Sequence, residues 1–311
     1  MLELKNIHKV FNPGTINEKR AIQNLSFTLN DGDFVTVIGG NGAGKSTMLN
    51  LIAGVYTADA GSIVLDGADI TKLPEYKRAK LLGRVFQDPM MGTAGNMGIE
   101  ENLAMAYRRG RTRTLRWGIS NEEREFYKEK LQMLDLGLEG RLTSKVRLLS
   151  GGQRQALTLL MATLQNPRLL LLDDHTAALD PKTAHKVLTL TEKIISENRL
   201  STLMVTHNMK DAIRYGNRLV MMHEGNIIYD VSGEEKANLQ VSDLLAKFEA
   251  VSRSRAASSP TTACCWRDNF FKEGASVCRL LTRCCSIWTA HSLILRPVSS
   301  IPSSSHWRNM R

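Results

Sequence analysis

Eight consecutive residues carry the strongest chemical signal in this sequence: Gly39-Gly40-Asn41-Gly42-Ala43-Gly44-Lys45-Ser46, with Thr47 following. They fit the spacing G-x-x-x-x-G-K-[ST], set between an apolar run (Phe34-Val35-Thr36-Val37-Ile38) and a segment of helical spacing. Glycines let the backbone turn sharply and aim several N–H groups inward, which suits the oxygens of a phosphate chain. A helix starting at Lys45 adds the positive end of its dipole. Lys45 brings a full charge to the β- and γ-phosphates, and the Ser46 hydroxyl is a hard oxygen ligand of the kind Mg²⁺ prefers. The chemistry expected here is binding of a nucleoside triphosphate with Mg²⁺.

Two further clusters extend that chemistry. Leu169-Leu170-Leu171-Leu172-Asp173-Asp174 is an apolar run ending in two acids. A buried strand with this pattern delivers carboxylates at its C-terminal end, where α/β sheets bind ligands. Asp173 is expected to hold Mg²⁺, directly or through water, and Asp174 to polarise the attacking water beside the γ-phosphate. Taken alone, the pair could also be a turn with an N-capping Asp, the weaker of the two readings. The second cluster is Leu149-Ser150-Gly151-Gly152-Gln153, at the start of a helical segment. A serine and two glycines at a helix start make a second anion cradle, without a lysine of its own. One nucleotide does not need two cradles. Two chains facing head to tail would use both, the loop of one and the helix start of the other clamping the same γ-phosphate.

The elements that must position these groups alternate in period. Short alternating strands are expected over 1–37, a buried strand over 34–38, a helix from 45 to about 53 stopped by Gly54, and a hairpin over 62–70 turned by Asp66-Gly67. A strand over 82–86 leads into Gln87. Residues 88–148 change character, with Met- and Gly-rich sequence followed by helical spacing over 99–108 and 122–136, and read as a helical insert. Helices over 151–165, 181–197 and 208–215, and strands over 168–172, 201–206, 218–223 and 226–231, complete a pattern that argues for a mostly parallel α/β sheet.

The chain has 311 residues, enough for a buried core, and no stretch of about 18 uncharged apolar residues that would span a bilayer. The N-terminal MLELKNIHKVF lacks the apolar core of a signal peptide, so a cytoplasmic location is expected. Residues 251–311 hold nine Lys/Arg, two Asp/Glu and all five cysteines, and so carry +7 of the formal +10. Paired Cys264-Cys265 and Cys284-Cys285 lack the C-x₂-C spacing of a zinc site. This Ser/Arg/Cys-rich tail reads as disordered or as a non-native extension, with a basic membrane- or nucleic-acid-binding tail as the other reading. The basic run Arg108, Arg109, Arg111, Arg113 and Arg116 reads as a solvated face, and His175 as a turn residue.

Over about residues 1–245 the order of motifs resembles the nucleotide-binding subunits of ABC transporters. The residues that carry the resemblance are Phe11, the phosphate loop at 39–46, Gln87 in VFQDP, LSGGQ at 149–153, LLLLDD at 169–174, Ala178-Leu179-Asp180 and His207 in VTHNM. Alone, Phe11 would be a strand aromatic, Gln87 a strand-end polar residue and His207 a capping histidine; the ordered set lifts them. The resemblance implies the ABC ATPase fold: a P-loop NTPase α/β core with an antiparallel β subdomain and a helical insert, over residues 1–250. It implies ATP and Mg²⁺ as cofactors, Phe11 stacking on adenine, and Ser46, Gln87 and Asp173 organising the metal. Ser150, Gly151, Gly152, Gln153 and Asp180 would face the nucleotide of a partner subunit, and His207 would hold the γ-phosphate and water.

The partners implied are a second ATPase subunit, forming a homodimer, a transmembrane permease and a substrate-binding protein, with no nucleic acid. The chain would then lie on the inner face of the membrane through the permease, as in bacterial importers of the amino-acid type. One position departs from the family pattern, which has Glu where this chain has Asp174. Slow hydrolysis with normal ATP binding is therefore expected, and an ATP-gated regulatory subunit is the alternative. A soluble ABC ATPase of translation or repair would carry two nucleotide domains or a coiled-coil arm, and neither is present in this sequence.

Overall fold

The computed structural model describes residues 1–110 and 118–256, the last six by backbone alone. Arg111, Arg113, Arg116 and the cysteine-bearing tail lie outside the described residues. Residues Met1–Ala250 form one compact unit.

The strands are β1 (Leu2–Phe11), β2 (Lys19–Leu29), β3 (Phe34–Gly39), β4 (Ala60–Leu65), β5 (Ala68–Asp69), β6 (Leu82–Val85), β7 (Leu169–Asp173), β8 (Thr202–Val205), β9 (Arg218–His223) and β10 (Asn226–Ser232). The helices are α1 (Lys45–Ala53), α2 (Glu75–Arg78), α3 (Ile99–Tyr107), α4 (Asn121–Gln132), α5 (Gly151–Thr163), α6 (Pro181–Asn198), α7 (Met209–Arg214), α8 (Gly233–Ala237) and α9 (Val241–Ala256).

Two sheets result. The larger has the order β10-β9-β3-β8-β7-β6, parallel throughout except for β10, which pairs antiparallel with β9. Its central strands are continuous apolar runs because helices cover both faces. Leu169, Leu170, Leu171 and Leu172 are all fully buried, each removal from water contributing about 2 kcal/mol. Their side chains alternate between two cores. Leu169 and Leu171 join α1 and the smaller sheet, while Leu170 and Leu172 join α3, α4 and α5. Thr36 is the polar exception in β3, and its hydroxyl is satisfied by the carbonyls of Ala212 and Arg218 at 2.9 and 3.2 Å.

The smaller sheet, β2-β1-β4-β5, is antiparallel. It is the β subdomain expected from the alternation in 1–37 and the Asp66-Gly67 turn. Between β6 and α5 lie α3 and α4. The second of these ends at Gln132, four residues before the periodicity suggested, and Asp135 turns the chain with φ +52°. Leu134 is still buried, so the apolar spacing outlives the helix. Helix α4 begins with a capping box in which Glu123 N donates to Ser120 Oγ and Ser120 N donates to Glu123 Oε2. Helices α2, α8 and α9 carry no clear sequence signal. Among the described residues, no helix is long and apolar enough to cross a membrane.

Candidate functional site

The phosphate loop joins β3 to α1, as its spacing predicts. Two of its glycines are required by close contact. A Cβ on Gly39 would lie 2.4 Å from the Met222 carbonyl oxygen, and one on Gly44 2.7 Å from that of Ala21. Gly44 also has φ +98°, and it stands directly before the first residue of α1. An L side chain there would be strained as well as crowded. Lys45 Nζ donates to the carbonyls of Gly39 and Gly40 at 2.6 and 3.0 Å. Burial pushes the Lys45 ammonium below its ordinary value, against the pull of Asp174 and Asp173. Beside the loop lies a cleft of about 240 Å³ whose lining includes Phe11, Lys19, Asn41, Lys45, Ser46 and Thr47. Phe11 is half-buried at the end of β1, edge-on to Tyr56 with ring centroids 5.1 Å apart.

The two carboxylates have different surroundings. Asp173 ends β7, and Ser46 Oγ donates to its Oδ1 at 3.4 Å. Its other oxygen, Oδ2, lies 3.9 Å from Arg84 Nη2. Desolvation raises the Asp173 carboxyl above the usual range, with Arg84 opposing. Asp174 takes φ +45° and donates its backbone N–H to Val205 at 3.0 Å. That left-handed kink, which Asp tolerates better than most residues, directs its carboxylate to His207. Nδ1 of His207 donates to Oδ2 at 2.7 Å and to Oδ1 at 2.9 Å. This hydrogen bond is the main reason the imidazole is held above its ordinary value. His207 follows β8, so adjacent parallel strands deliver the acid and the histidine to the same edge of the sheet.

Serine 46 and Asp173 thus bring two hard oxygen donors together. No group of three His, Cys, Asp or Glu suited to a metal occurs among the described residues. A site built on one hydroxyl and one carboxylate suits Mg²⁺, which keeps waters and shares phosphate oxygens rather than entering an all-protein cage. Gln87 follows β6 with an exposed side chain, and no hydrogen bond joins it to Ser46 or Asp173.

The LSGGQ segment opens α5. Ser150 Oγ accepts from the Gln153 N–H at 3.3 Å and Gln153 Oε1 accepts from the Ser150 N–H at 3.2 Å, a capping box. A Cβ on Gly152 would sit 2.1 Å from Thr183 Cγ2, and one on Gly151 3.3 Å from Leu179 Cδ2. The glycines therefore admit α6 and the turn before it, a steric role that the sequence reading, concerned with anions, did not supply. Asp180 caps α6, its Oδ2 accepting from the Thr183 N–H at 2.9 Å.

Two residues bearing on the site were not singled out from sequence for what they do. Arg84 reaches both Asp173 and α1. His175 sits in the turn after β7 as expected, yet its ring is 2% exposed and its Nε2 is 3.2 Å from Thr191 Oγ1 on α6. Burial pushes it down to about 4. In the basic run, Arg108 pairs with Glu123 at 2.8 Å, whereas Arg109 is part-buried with its Nη2 3.4 Å from the Ala162 carbonyl, so the run is not uniformly a solvated face.

The family model described as ABC transporter matches residues 22–177. The chain is 47% identical over 250 residues to the tyrosine transport ATP-binding protein of Clostridioides difficile, covering 80% of this chain and 99% of that protein. It is 34% identical over 258 residues to the spermidine/putrescine import ATP-binding protein PotA of Haemophilus influenzae, covering 80% of this chain but 64% of that protein. A methionine import ATP-binding protein, MetN of Corynebacterium glutamicum, is 33% identical over 234 residues, 73% of this chain and 61% of that one. The chain thus spans less than two thirds of the length of these last two relatives. Among solved structures, a dimeric ATP-binding cassette in a post-hydrolysis state with ADP and Pi superposes with a TM-score of 0.64 at 29% identity, over 75% of this chain and 98% of that one. The ADP conformation of a cassette from an ABC transporter gives 0.67 at 27% identity, over 80% and 98%.

Proposed function

The chain belongs to the ABC transporter family as an ATP-binding, ATP-hydrolysing subunit, and on that premise we propose that it powers an importer of an amino-acid-type solute. The observation that carries the proposal is the convergence of Lys45, Ser46, Asp173, Asp174 and His207 on one sheet edge. Support for import comes from the relatives named for tyrosine, spermidine/putrescine and methionine.

In this reading the cassette occupies residues 1–250. The loop amides and Lys45 hold the phosphates, and Lys45 exchanges its two carbonyl partners for phosphate oxygens. Phe11, steadied edge-on by Tyr56, offers a face to adenine. Mg²⁺, when bound through Ser46, Asp173 and Gln87, neutralises charge on the phosphates. Asp174 accepts a proton from the attacking water, and His207, anchored through Nδ1, keeps Nε2 for the γ-phosphate. Ser150, Gly151, Gly152, Gln153 and Asp180 complete the site of a second copy of the chain, so that ATP closes a dimer and hydrolysis reopens it. Residues 88–148 dock on a permease, which places the chain at the inner face of the membrane and serves a substrate-binding protein outside.

A second reading is favoured by one observation. Both oxygens of the short Asp174 carboxylate already face His207, which suits a subunit that binds ATP and turns it over slowly. The test of the main proposal is twofold. ATP hydrolysis by the purified chain should vanish in Lys45→Ala, and the chain should co-purify with a co-expressed permease and drive uptake into proteoliposomes. A chain that binds no ATP, or a permease that transports without it, would overturn the proposal.

A further inference from the structure

Arg84 takes no part in the reading above, yet it is built into the site. Its side chain is 14% exposed, on β6. Nη2 donates to Asn50 Oδ1 on α1 at 2.6 Å, and the guanidinium lies 4.5 Å from the centroid of the Phe86 ring. These two contacts fix the group independently of any carboxylate. Its Nε is buried and has no hydrogen-bond partner among the described residues, so the position is not one that hydrogen bonding alone would select.

From that seat Nη2 faces Asp173 Oδ2 at 3.9 Å. The separation is too long for a hydrogen bond, so the contact is charge against charge. The opposite oxygen of the same carboxylate accepts from Ser46. Asp173 therefore has one oxygen on the side of the hydroxyl and the other on the side of a permanent cation, because a guanidinium does not lose its proton in a protein. A fixed positive charge this close to a part-buried carboxylate weakens the attraction of that carboxylate for a divalent cation.

We propose that Arg84 is a positioning residue for the metal site, a built-in counter-charge that competes with Mg²⁺ for Asp173, so that the metal binds tightly only together with the nucleotide. The phosphates of the incoming nucleotide supply the negative charge that Arg84 and Lys45 offset. The inference rests on the assignment of Ser46 and Asp173 to Mg²⁺.

The test uses Mn²⁺ alone as the probe, titrated into the full chain without nucleotide and read by electron paramagnetic resonance. Arg84→Met keeps the length and the apolar contact with Phe86. Arg84→Gln keeps an amide for Asn50 and serves if the Met variant fails to fold. Either should bind Mn²⁺ about tenfold more tightly than the parent chain, and Arg84→Lys should stay within about twofold of it. Equal or weaker Mn²⁺ binding by the folded neutral variants overturns the proposal. Adding Asp173→Asn to the neutral variant should abolish the gain. A gain that survives this change would show that the metal does not use Asp173, and would overturn the site assignment itself.

Discussion

Replacing Asp174 by Glu tests the chemistry most directly. The backbone of Asp174 is pinned by its N–H bond to Val205 and by the parallel pairing of β7 with β8. The side chain alone therefore sets how far the carboxylate reaches. One methylene adds about 1.5 Å of reach. Misplacement of a reacting group by about 1 Å costs roughly 100-fold in rate. The Asp carboxylate is also held by His207 at 2.7 and 2.9 Å, and a longer side chain can keep one of these bonds while advancing beyond the imidazole. Asp174→Glu is expected to raise kcat about 10- to 100-fold with KM little changed, because the gain appears only when the water attacks.

The assay is phosphate release at saturating ATP, with Lys45→Ala as blank and binding of a fluorescent ATP analogue as the control for folding. The parent chain should also persist as an ATP-bound dimer in size-exclusion chromatography, and the Glu variant should not. Equal rates in the parent and the Glu variant would refute the argument from reach. Rates at the level of the blank in both would show that something other than Asp174 limits turnover.

Other expectations follow from the same geometry. Asp174→Asn should move the His207 imidazole down toward its ordinary value, since the bond to Asp174 is what raises it; proton NMR of the ring reads this, and an unmoved resonance would deny the pairing. The His207–Asp174 contact contributes stability that is complete below the imidazole's unfolded value and fades as pH rises through the raised one. His175 acts in the opposite sense: folded it titrates at about 4, so between about pH 6.5 and 4 the unfolded chain takes up a proton that the folded chain refuses, and stability falls by about 3 kcal/mol. Urea titrations at pH 7 and 4.5 should show that part of the slope gone in His175→Leu. Gly152→Ala should cost about 1–3 kcal/mol through the contact with Thr183 Cγ2, and Thr183→Ser should restore most of it in the double variant. Arg78→Met should cost about 3–5 kcal/mol, and roughly 10 °C in Tm, by removing the donor shared by the carbonyls of Leu51, Ile52, Thr71 and Leu73, of which Leu51 keeps the Gly54 N–H; a shift under about 2 °C would count against this.

The sheet core and the phosphate loop were legible because their signals are local. A buried parallel strand announces itself as an unbroken apolar run, and the glycines, lysine and serine of the loop are contiguous. What was not legible depends on contacts between distant segments. Arg78 is 1% exposed and donates to four backbone carbonyls, and carbonyls leave no trace in a sequence. His175 sits in a turn where histidine is unremarkable, and only the packing of α6 buries it. Gly152 reads from sequence as an anion-cradle glycine, and its second role, admitting Thr183, appears only once α6 is placed beside it. The early end of α4 reflects the left-handed Asp135, which the apolar spacing of Leu134 and Leu136 conceals.

The site is best understood through how its charges are shared. Two adjacent acids at the end of β7 could repel one another, but each has its own partner. Asp173 faces Arg84 at 3.9 Å, Asp174 bonds His207 at 2.7 Å, and Lys45 feels both. The three partners, Arg84, His207 and Lys45, come from three different segments: β6, the turn after β8 and the start of α1. Any ligand that draws Lys45 from its carbonyl partners or claims Asp173 from Arg84 therefore pulls on three elements of the same sheet edge. β6 carries Arg84 and leads within a few residues into Gln87 and the insert. Neutralising Arg84 should thus alter the metal dependence of nucleotide binding, read as Mn²⁺ affinity with and without ATP, and an unchanged affinity would deny that Asp173 is shared with Arg84.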